Sequence, residues 1–278
     1  MRHRVMRLAR IVILLVTLVL FSFPLYYLVV TSLKTKAELN SPVPTLIPRD
    51  PTLDAYYSVL VERDFAALLV NSLIACSVAT LLALAIAFAI CYPITRLPVS
   101  PGVRAFTLNW ALSLRFLAPI AVVIPYFLIV KFIGLYNQLP ALILVYTIFN
   151  LPLSIWMLKG FLEEIPLEIE EAALVDGATR FRAFRSVLLP LARTGLLAAG
   201  VVVFAFDWAE FLFAFILTAT PKAMTFPVGV QGLVTQFEII WNDMAASGVI
   251  ALSLPLLLML VARRYVITGL SFGVIREK

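Results

Sequence analysis

The sequence predicts an all-α integral membrane protein with six transmembrane helices. Composition is the first reason: 62% of the 278 residues are hydrophobic and 14% are charged, where a soluble domain has about 45–50% and about 25%. A chain this apolar, with a mean hydropathy of +1.02, has too little polar surface to cover a soluble fold. The second reason is length, because six apolar runs reach the ~20 residues that a helix needs to cross a bilayer. The third is continuity. Outer-membrane strands alternate in polarity and are ~10 residues long, and these runs do neither.

In chain order the spans are residues 11–33, 65–92, 106–133, 139–158, 194–217 and 247–267. The first is too long for a cleavable signal, and no small-residue cleavage pattern follows Thr31-Ser32-Leu33-Lys34. The loop from Lys34 to Asp64 is broken by Pro42, Pro44, Pro48 and Pro51. After them Leu53–Glu62 suits a short helix with Thr52 as its N-cap. Pro93 to Arg104 and Gly134 to Pro140 read as short connections. Thr218 to Ala246 is long and polar only in patches, and its Phe226, Phe237 and Trp241 point to packing against another surface. Pro24, Pro119, Pro125, Pro152 and Pro255 lie inside spans, where each removes a backbone donor and kinks its helix. Two readings of these prolines stand side by side: packing geometry throughout, or bend points for alternating access at Pro119 and Pro125.

Orientation follows from the basic residues between spans. Arg2, Arg4, Arg7 and Arg10 precede the first span, Arg96 and Arg104 sit in the second loop, and Arg263, Arg264, Arg276 and Lys278 lie at the C-terminal end. With five more in the fourth loop, this side carries fifteen, against six on the other: Lys34, Lys36, Arg49, Arg63, Lys131 and Lys222. The positive-inside rule then places both termini and the fourth loop in the cytoplasm. The isoelectric point near 9.5 needs no nucleic acid. The same charges favour anionic membrane lipid.

Neither metal nor disulfide chemistry is indicated. Cys76 and Cys91 lie fifteen residues apart in one predicted helix, a separation of ~22 Å against the ~4.4–6.8 Å that a disulfide spans. His3 is the one histidine. No internal repeat or low-complexity stretch appears.

The most informative segment is the polar insert at residues 163–190, between two long apolar runs. Pro166 suits the first turn of a helix, where its missing N–H is not needed. Glu168, Glu170 and Glu171 follow, favoured by the helix dipole. Ala172 and Ala173 are small enough for another surface to approach the backbone, and Leu174 and Val175 form an apolar stripe. Gly177 suits a left-handed helix end. A second, basic helix with Arg180, Arg182 and Arg185 follows, and Pro190 starts the fifth span. On residue types alone, the segment is either a docking plug or an ordinary amphipathic interfacial helix.

Its spacing is specific: Glu171-Ala172-Ala173, three residues including Leu174 and Asp176, Gly177, nine residues, Val187, one residue, then Leu189-Pro190. This resembles the EAA loop of ABC importer permeases of the carbohydrate-uptake kind, in particular the smaller, six-span maltose/trehalose-type sugar permease. The resemblance runs along most of the chain. Thr31-Ser32-Leu33-Lys34 resembles the family's T-S-L-K, Asn71-Ser72-Leu73 its N-S-L, and Tyr92 with Arg96-Leu97 its Y-A-L-A-R-L. Trp208-Ala209-Glu210-Phe211 resembles W-N-E-F, and Gly269-Leu270-Ser271 with Gly273 and Val274 resembles the C-terminal G-L-T-x-G-A-V. Two positions depart: Pro93 stands in place of alanine and Ala209 in place of asparagine.

The resemblance implies a type I ABC importer permease fold in a bacterial or archaeal cytoplasmic membrane. It implies a heterodimer with a second permease subunit, an ATPase dimer docking on the EAA loop, and an extracytoplasmic sugar-binding protein or lipoprotein. The C-terminal tail, by the same analogy, reaches the ATPase dimer. This chain would be non-catalytic and hold no cofactor, since ATP and Mg²⁺ belong to the partner ATPase and no Walker A pattern is present. The implied cargo is a di- or oligosaccharide such as trehalose or maltose, with glycerol 3-phosphate or another polyol as the alternative. A secondary transporter would need charge relays or repeated broken helices, and neither is evident.

Arg115, Asp207 and Glu210 are charges within predicted spans, where each costs at least ~2.5–3.5 kcal/mol at the bilayer centre. Asp207 and Glu210, three residues apart, are expected on one helix face. Three readings compete: polar contact with Arg115 or the partner permease, lining of the translocation path, or a place near the outer interface. If they line the path, Trp208 and Tyr126 are the aromatic contributors.

The orientation is testable by single-cysteine labelling. A membrane-impermeant thiol reagent added outside is expected to modify the Asp50→Cys variant and spare Thr179→Cys. Modification of Thr179→Cys alone would invert the topology.

Overall fold

The computed structural model describes residues 2–235 and 239–271. The expected Phe237 contact and the C-terminal Gly273, Val274, Arg276 and Lys278 lie outside the described residues. The chain is helical, and no β-strand occurs among the described residues, only an isolated bridge of Val234 with Ile239. In order the helices are α1 (Arg2–Ser32), α2 (Lys36–Leu39), α3 (Asp54–Tyr57), α4 (Phe65–Arg96), α5 (Pro101–Arg115), α6 (Pro119–Phe132) and α7 (Leu139–Glu164). There follow α8 (Leu167–Val175), α9 (Arg180–Ala183), α10 (Leu189–Trp208), α11 (Leu212–Leu217), α12 (Phe226–Gln231) and α13 (Trp241–Ser271). Two π turns, Ser58–Glu62 and Phe184–Leu188, prolong α3 and join α9 to α10.

Among the described residues, five helices are long and apolar enough to cross a membrane, or six if α5 and α6 together make one span. Each expected span is helical, but two of them are not single helices. The run expected at 106–133 is broken between α5 and α6, which meet at 99°. The cause is local. Pro119 is at the start of α6, and Ala118 before it is extended at φ −66°, ψ 135°, as the clash with a following proline ring demands. Pro119 therefore opens a helix and does not kink one, whereas Pro24, Pro125, Pro152 and Pro255 do lie inside helices. The run expected at 194–217 begins earlier, since the helical path is continuous over Arg180–Trp208. It then breaks at Ala209–Phe211 before α11. Pro190 is in the first turn of α10, as expected, and the helical path runs into it from α9. The preceding π turn, in which the Leu189 N–H reaches back to Phe184 O, supplies the slack a proline needs.

The chain divides into two compact units. One comprises Met1–Ala66 and Gly229–Leu254, and the other is built mainly of Ala67–Val228. In the first, residues 10–27 of α1 are all exposed, so their apolar side chains need lipid or another chain. The expected helix at 53–62 is present as α3 and its π turn, but Leu53 holds the N-cap position. Thr52 Oγ1 accepts instead from the Asp54 N–H, 3.1 Å away. Asp243, buried at the start of α13, accepts from Ser58 Oγ and Arg63 Nε, each at 3.1 Å. Ser32 and Tyr56 share a 2.7 Å bond. Glu38 accepts from the Thr45 hydroxyl and the Arg49 N–H. The Thr45 bond foremost, helped by Arg49 and Lys34, holds its carboxyl below the usual glutamate value.

The second unit is a packed bundle of α4, α7 and α10. Small side chains line its contacts: Ala83, Ala87 and Cys91 on α4, and Ala192, Gly195 and Ala199 on α10. A Cβ at Gly195 would lie 2.5 Å from Phe161 Cγ, so glycine there lets α10 approach α7. Small residues serve this purpose in membrane bundles, where close backbone packing replaces the hydrophobic effect. Cys76 and Cys91 are both free and buried in α4. Phe226, expected to meet another surface, is buried within the chain. Its N–H donates to Ser72 Oγ at 2.8 Å, while Asn71 Nδ2 donates to Pro221 O and Met224 O, each at 3.0 Å.

Candidate functional site

The insert at 163–190 folds as an elbow between α7 and α10. Pro166 occupies the N-cap of α8, one position earlier than expected, and α8 carries Glu168 and Glu170 in its first turn. Gly177 ends it at φ +88°. The Gly177 N–H donates to Leu174 O at 3.1 Å and the Ala178 N–H to Ala173 O at 3.0 Å, the paired bonds of a left-handed helix stop. Two residues on, Thr179 Oγ1 accepts from the Arg182 N–H at 3.3 Å and starts α9. The chain thus turns sharply between two capped helices. Glu171, Ala172, Val175, Asp176 and Gly177 are exposed, and Ala173 and Leu174 are partly covered. Val175 is 87% and Phe181 70% exposed, an apolar surface at the tip of a charged elbow. Val187 is partly covered, and Leu189 and Pro190 face outward where α10 begins.

The elbow is anchored by residues whose grouping the sequence did not reveal. Glu170 is 7% exposed. Tyr92 Oη, on the last turns of α4, donates to Glu170 Oε1 at 2.8 Å. Arg96 Nε lies 3.9 Å from Glu170 Oε2, and its Nη2 donates to Leu162 O and Ile165 O where α7 ends. Phe184 packs edge-on against Phe88 at 5.5 Å and Tyr92 at 5.3 Å. Glu163 pairs with Lys159 at 2.7 Å and with Arg104, tying α5 to the end of α7. Pro93 lies inside α4, and the helix continues through it to Arg96.

The charges expected near the translocation path are arranged differently from the expectation. Asp207 is 1% exposed. It accepts from Thr80 Oγ1 of α4 at 3.1 Å and from Asn150 Nδ2 of α7 at 2.6 Å. Its partners are therefore neutral donors on two neighbouring helices, and Arg115 is not among them. The Arg115 guanidinium lies 4.8 Å from the centre of the Phe206 ring, at the break after α5. Glu210 does not share a helix face with Asp207, because α10 ends at Trp208. Its carboxylate caps α11 instead, accepting from the Phe213 N–H at 2.8 Å and the Ala214 N–H at 3.2 Å. Trp208 is buried and stacked on Phe204 at 5.7 Å. Tyr126, partly covered, meets Phe213 edge-on at 5.6 Å. An acidic residue just ahead of a helix start was the available signal for the cap, masked by the apolar residues around it.

Comparison with known proteins identifies this architecture. A family model described as binding-protein-dependent transport system inner membrane component matches residues 3–271. The sulfoquinovosyl glycerol transport system permease protein SmoH of Agrobacterium fabrum is 33% identical over 251 residues, covering 90% of this chain and 87% of that protein. The trehalose transport system permease protein SugB of Mycobacterium tuberculosis is 37% identical over 234 residues, covering 83% and 84%. Among solved structures, a chain of a bacterial ABC transporter involved in the import of the acidic polysaccharide alginate superposes with a TM-score of 0.75. It is 20% identical and covers 94% of this chain and 96% of its own.

The Asp207 junction is testable directly. Asn150→Ala leaves a buried carboxylate oxygen without its donor and is expected to cost about 1–3 kcal/mol. This should be read as a lowered thermal midpoint of the detergent-solubilised protein, and an unchanged midpoint would show that the junction does not hold α7 to α10.

Proposed function

The chain belongs to the family of binding-protein-dependent transport system inner membrane components, and from that premise we propose that it is the permease subunit of a sugar-importing ABC transporter. It is a multi-pass, non-catalytic inner-membrane protein. The observation that carries the proposal is the elbow at 163–190, whose exposed tip is anchored to the bundle by buried Glu170 with Tyr92 and by Arg96. A separate ATPase subunit docks on Glu171–Gly177, with Val187, Leu189 and Pro190 leading the force into α10. The elbow, both chain termini and the ATPase dimer lie on the cytoplasmic side. A second permease subunit completes the path, and α1, with its unburied apolar surface, is a natural contact for it or for lipid. An extracytoplasmic binding protein or lipoprotein delivers the cargo, in keeping with the family's description.

The cargo is a di- or oligosaccharide or a related glycoside. Support comes from the two relatives, which carry trehalose and sulfoquinovosyl glycerol by name. A phosphorylated polyol is the weaker reading, because Arg115, the cation well inside the third predicted span, has its guanidinium against an aromatic ring. Tyr126, Asp207, Trp208 and Glu210 act on the path chiefly by shaping it. Asp207 and Glu210 have their carboxylates engaged by the chain itself.

Uptake of a panel of labelled saccharides and glycerol 3-phosphate tests the proposal in cells lacking the gene and supplied with the native chain or Gly177→Asp. Gly177 holds φ +88°, and a side chain there costs about 1–3 kcal/mol in backbone strain. One sugar is expected to depend on the native chain and fail with Gly177→Asp. Uptake unchanged across the panel would overturn the sugar assignment.

A further inference from the structure

The anchor of the elbow is incompletely bonded, and the defect is specific. Arg96 Nε and Glu170 Oε2 are both buried and both without a hydrogen-bond partner. They are each other's ion-pair neighbour at 3.9 Å, about 1 Å beyond the ~2.7–2.9 Å of a charge-assisted hydrogen bond. Buried polar groups are nearly always bonded, and an unbonded one calls for a reason. Here the other carboxylate oxygen of Glu170 and one terminal nitrogen of Arg96 are already committed. Glu170 Oε1 is held by Tyr92 Oη at 2.8 Å. Arg96 Nη2 is held by the two carbonyls at the end of α7, Leu162 O and Ile165 O. Arg96 therefore already joins α4 to α7 and stops just short of α8, which hangs from α4 through the Tyr92 bond.

We propose that Tyr92 and Arg96 are positioning residues that form a two-position latch on Glu170, open in this conformation and closed when the ATPase subunit presses α8 toward α4. The proposal rests on the reading of 163–190 as the ATPase-coupling segment and adds the means by which a push there reaches the bundle. On closure, Arg96 Nε donates to Glu170 Oε2 and one guanidinium bridges α4, α7 and α8. The ends of α4 and α7 then move with α8. Further along the same two helices, Thr80 and Asn150 hold Asp207 of α10, so the displacement reaches all three helices of the packed bundle. A small movement suffices because the change is between two discrete bonding arrangements. Arginine is required: its planar fork offers Nε and Nη2 in different directions at once, whereas a lysine ammonium is a single point of charge.

The test uses the whole importer, purified with its partner permease, ATPase subunits and binding protein and reconstituted in lipid. Arg96→Lys and Glu170→Gln are compared with the native complex for assembly, basal ATP hydrolysis, hydrolysis stimulated by the loaded binding protein, and sugar transported per ATP. Both variants are expected to assemble with native basal hydrolysis. Both should lose stimulation and transport per ATP by about 5-fold or more, the lower end of ordinary coupling strengths. Tyr92→Phe, which leaves the arginine free to close, should lose less. Native stimulation and native transport per ATP in assembled Arg96→Lys and Glu170→Gln complexes would overturn the latch.

If the variants fail to assemble, the native complex decides. Its structure trapped with a transition-state analogue of ATP hydrolysis should show the Nε to Oε2 separation at about 3 Å or less, and a separation still near 3.9 Å would overturn it. Should the ATPase subunits not co-purify with the native chain at all, the coupling reading itself fails and the latch with it. Co-purification without closure removes the latch alone.

Discussion

A carboxylate buried among apolar helices must be met by donors from those helices, and Asp207 sets that condition for the whole bundle. Its two oxygens are taken by Thr80 of α4 and Asn150 of α7. In lipid there is no water to substitute for either partner, so each contact fixes the rotation and height of one helix against α10. Around this junction the packing is carried by alanine, glycine and cysteine, with Gly195 pressed on Phe161. Such surfaces permit close approach but do little to define register. The polar junction supplies what they lack, one arrangement among several of similar packing energy.

The same three helices carry the elbow. α7 enters it, α10 leaves it, and α4 ends beside it with Tyr92 and Arg96. Force applied at the exposed tip therefore meets a buried ion pair before it meets lipid, and from there a bundle locked at Asp207. The break between α10 and α11 follows directly on Asp207, and Arg115, at the break between α5 and α6, lies against Phe206 beside it. Each break is satisfied in its own way: Pro119 needs no donor partner at a helix start, and Glu210 caps α11. A device of this kind needs no catalytic group in the chain, in keeping with the proposed coupling to a partner's ATP hydrolysis.

What could be read from the sequence divides along the range of the interactions. The elbow was legible because its rules are local: glycine at a left-handed stop, proline and acidic residues at a helix start, alanines between. The spans were legible from composition. The bends were not, although Pro119 marks one of them, because apolar residues on both sides make a broken run look continuous. The partners of Asp207 were hidden for a different reason. Thr80 is 127 residues away and Asn150 57, and no spacing rule links them. Arg115, one of the partners left open by charge, faces Phe206 instead. Glu170 was read as a dipole-favoured residue of an exposed helix, whereas it is buried and bonded to Tyr92, 78 residues earlier. Its neighbour Glu171, one residue on, is the exposed one.

The central claim is that the tip of the elbow is where ATP-driven motion enters this chain. It is tested most directly by site-specific cross-linking from Ala172→Cys to the ATPase subunits in the purified importer, with Asp50→Cys as the control position. The account predicts a cross-linked product with an ATPase subunit from Ala172→Cys, its yield changing when ATP binds, and none from Asp50→Cys. No product from Ala172→Cys in a complex that retains its ATPase subunits would contradict it.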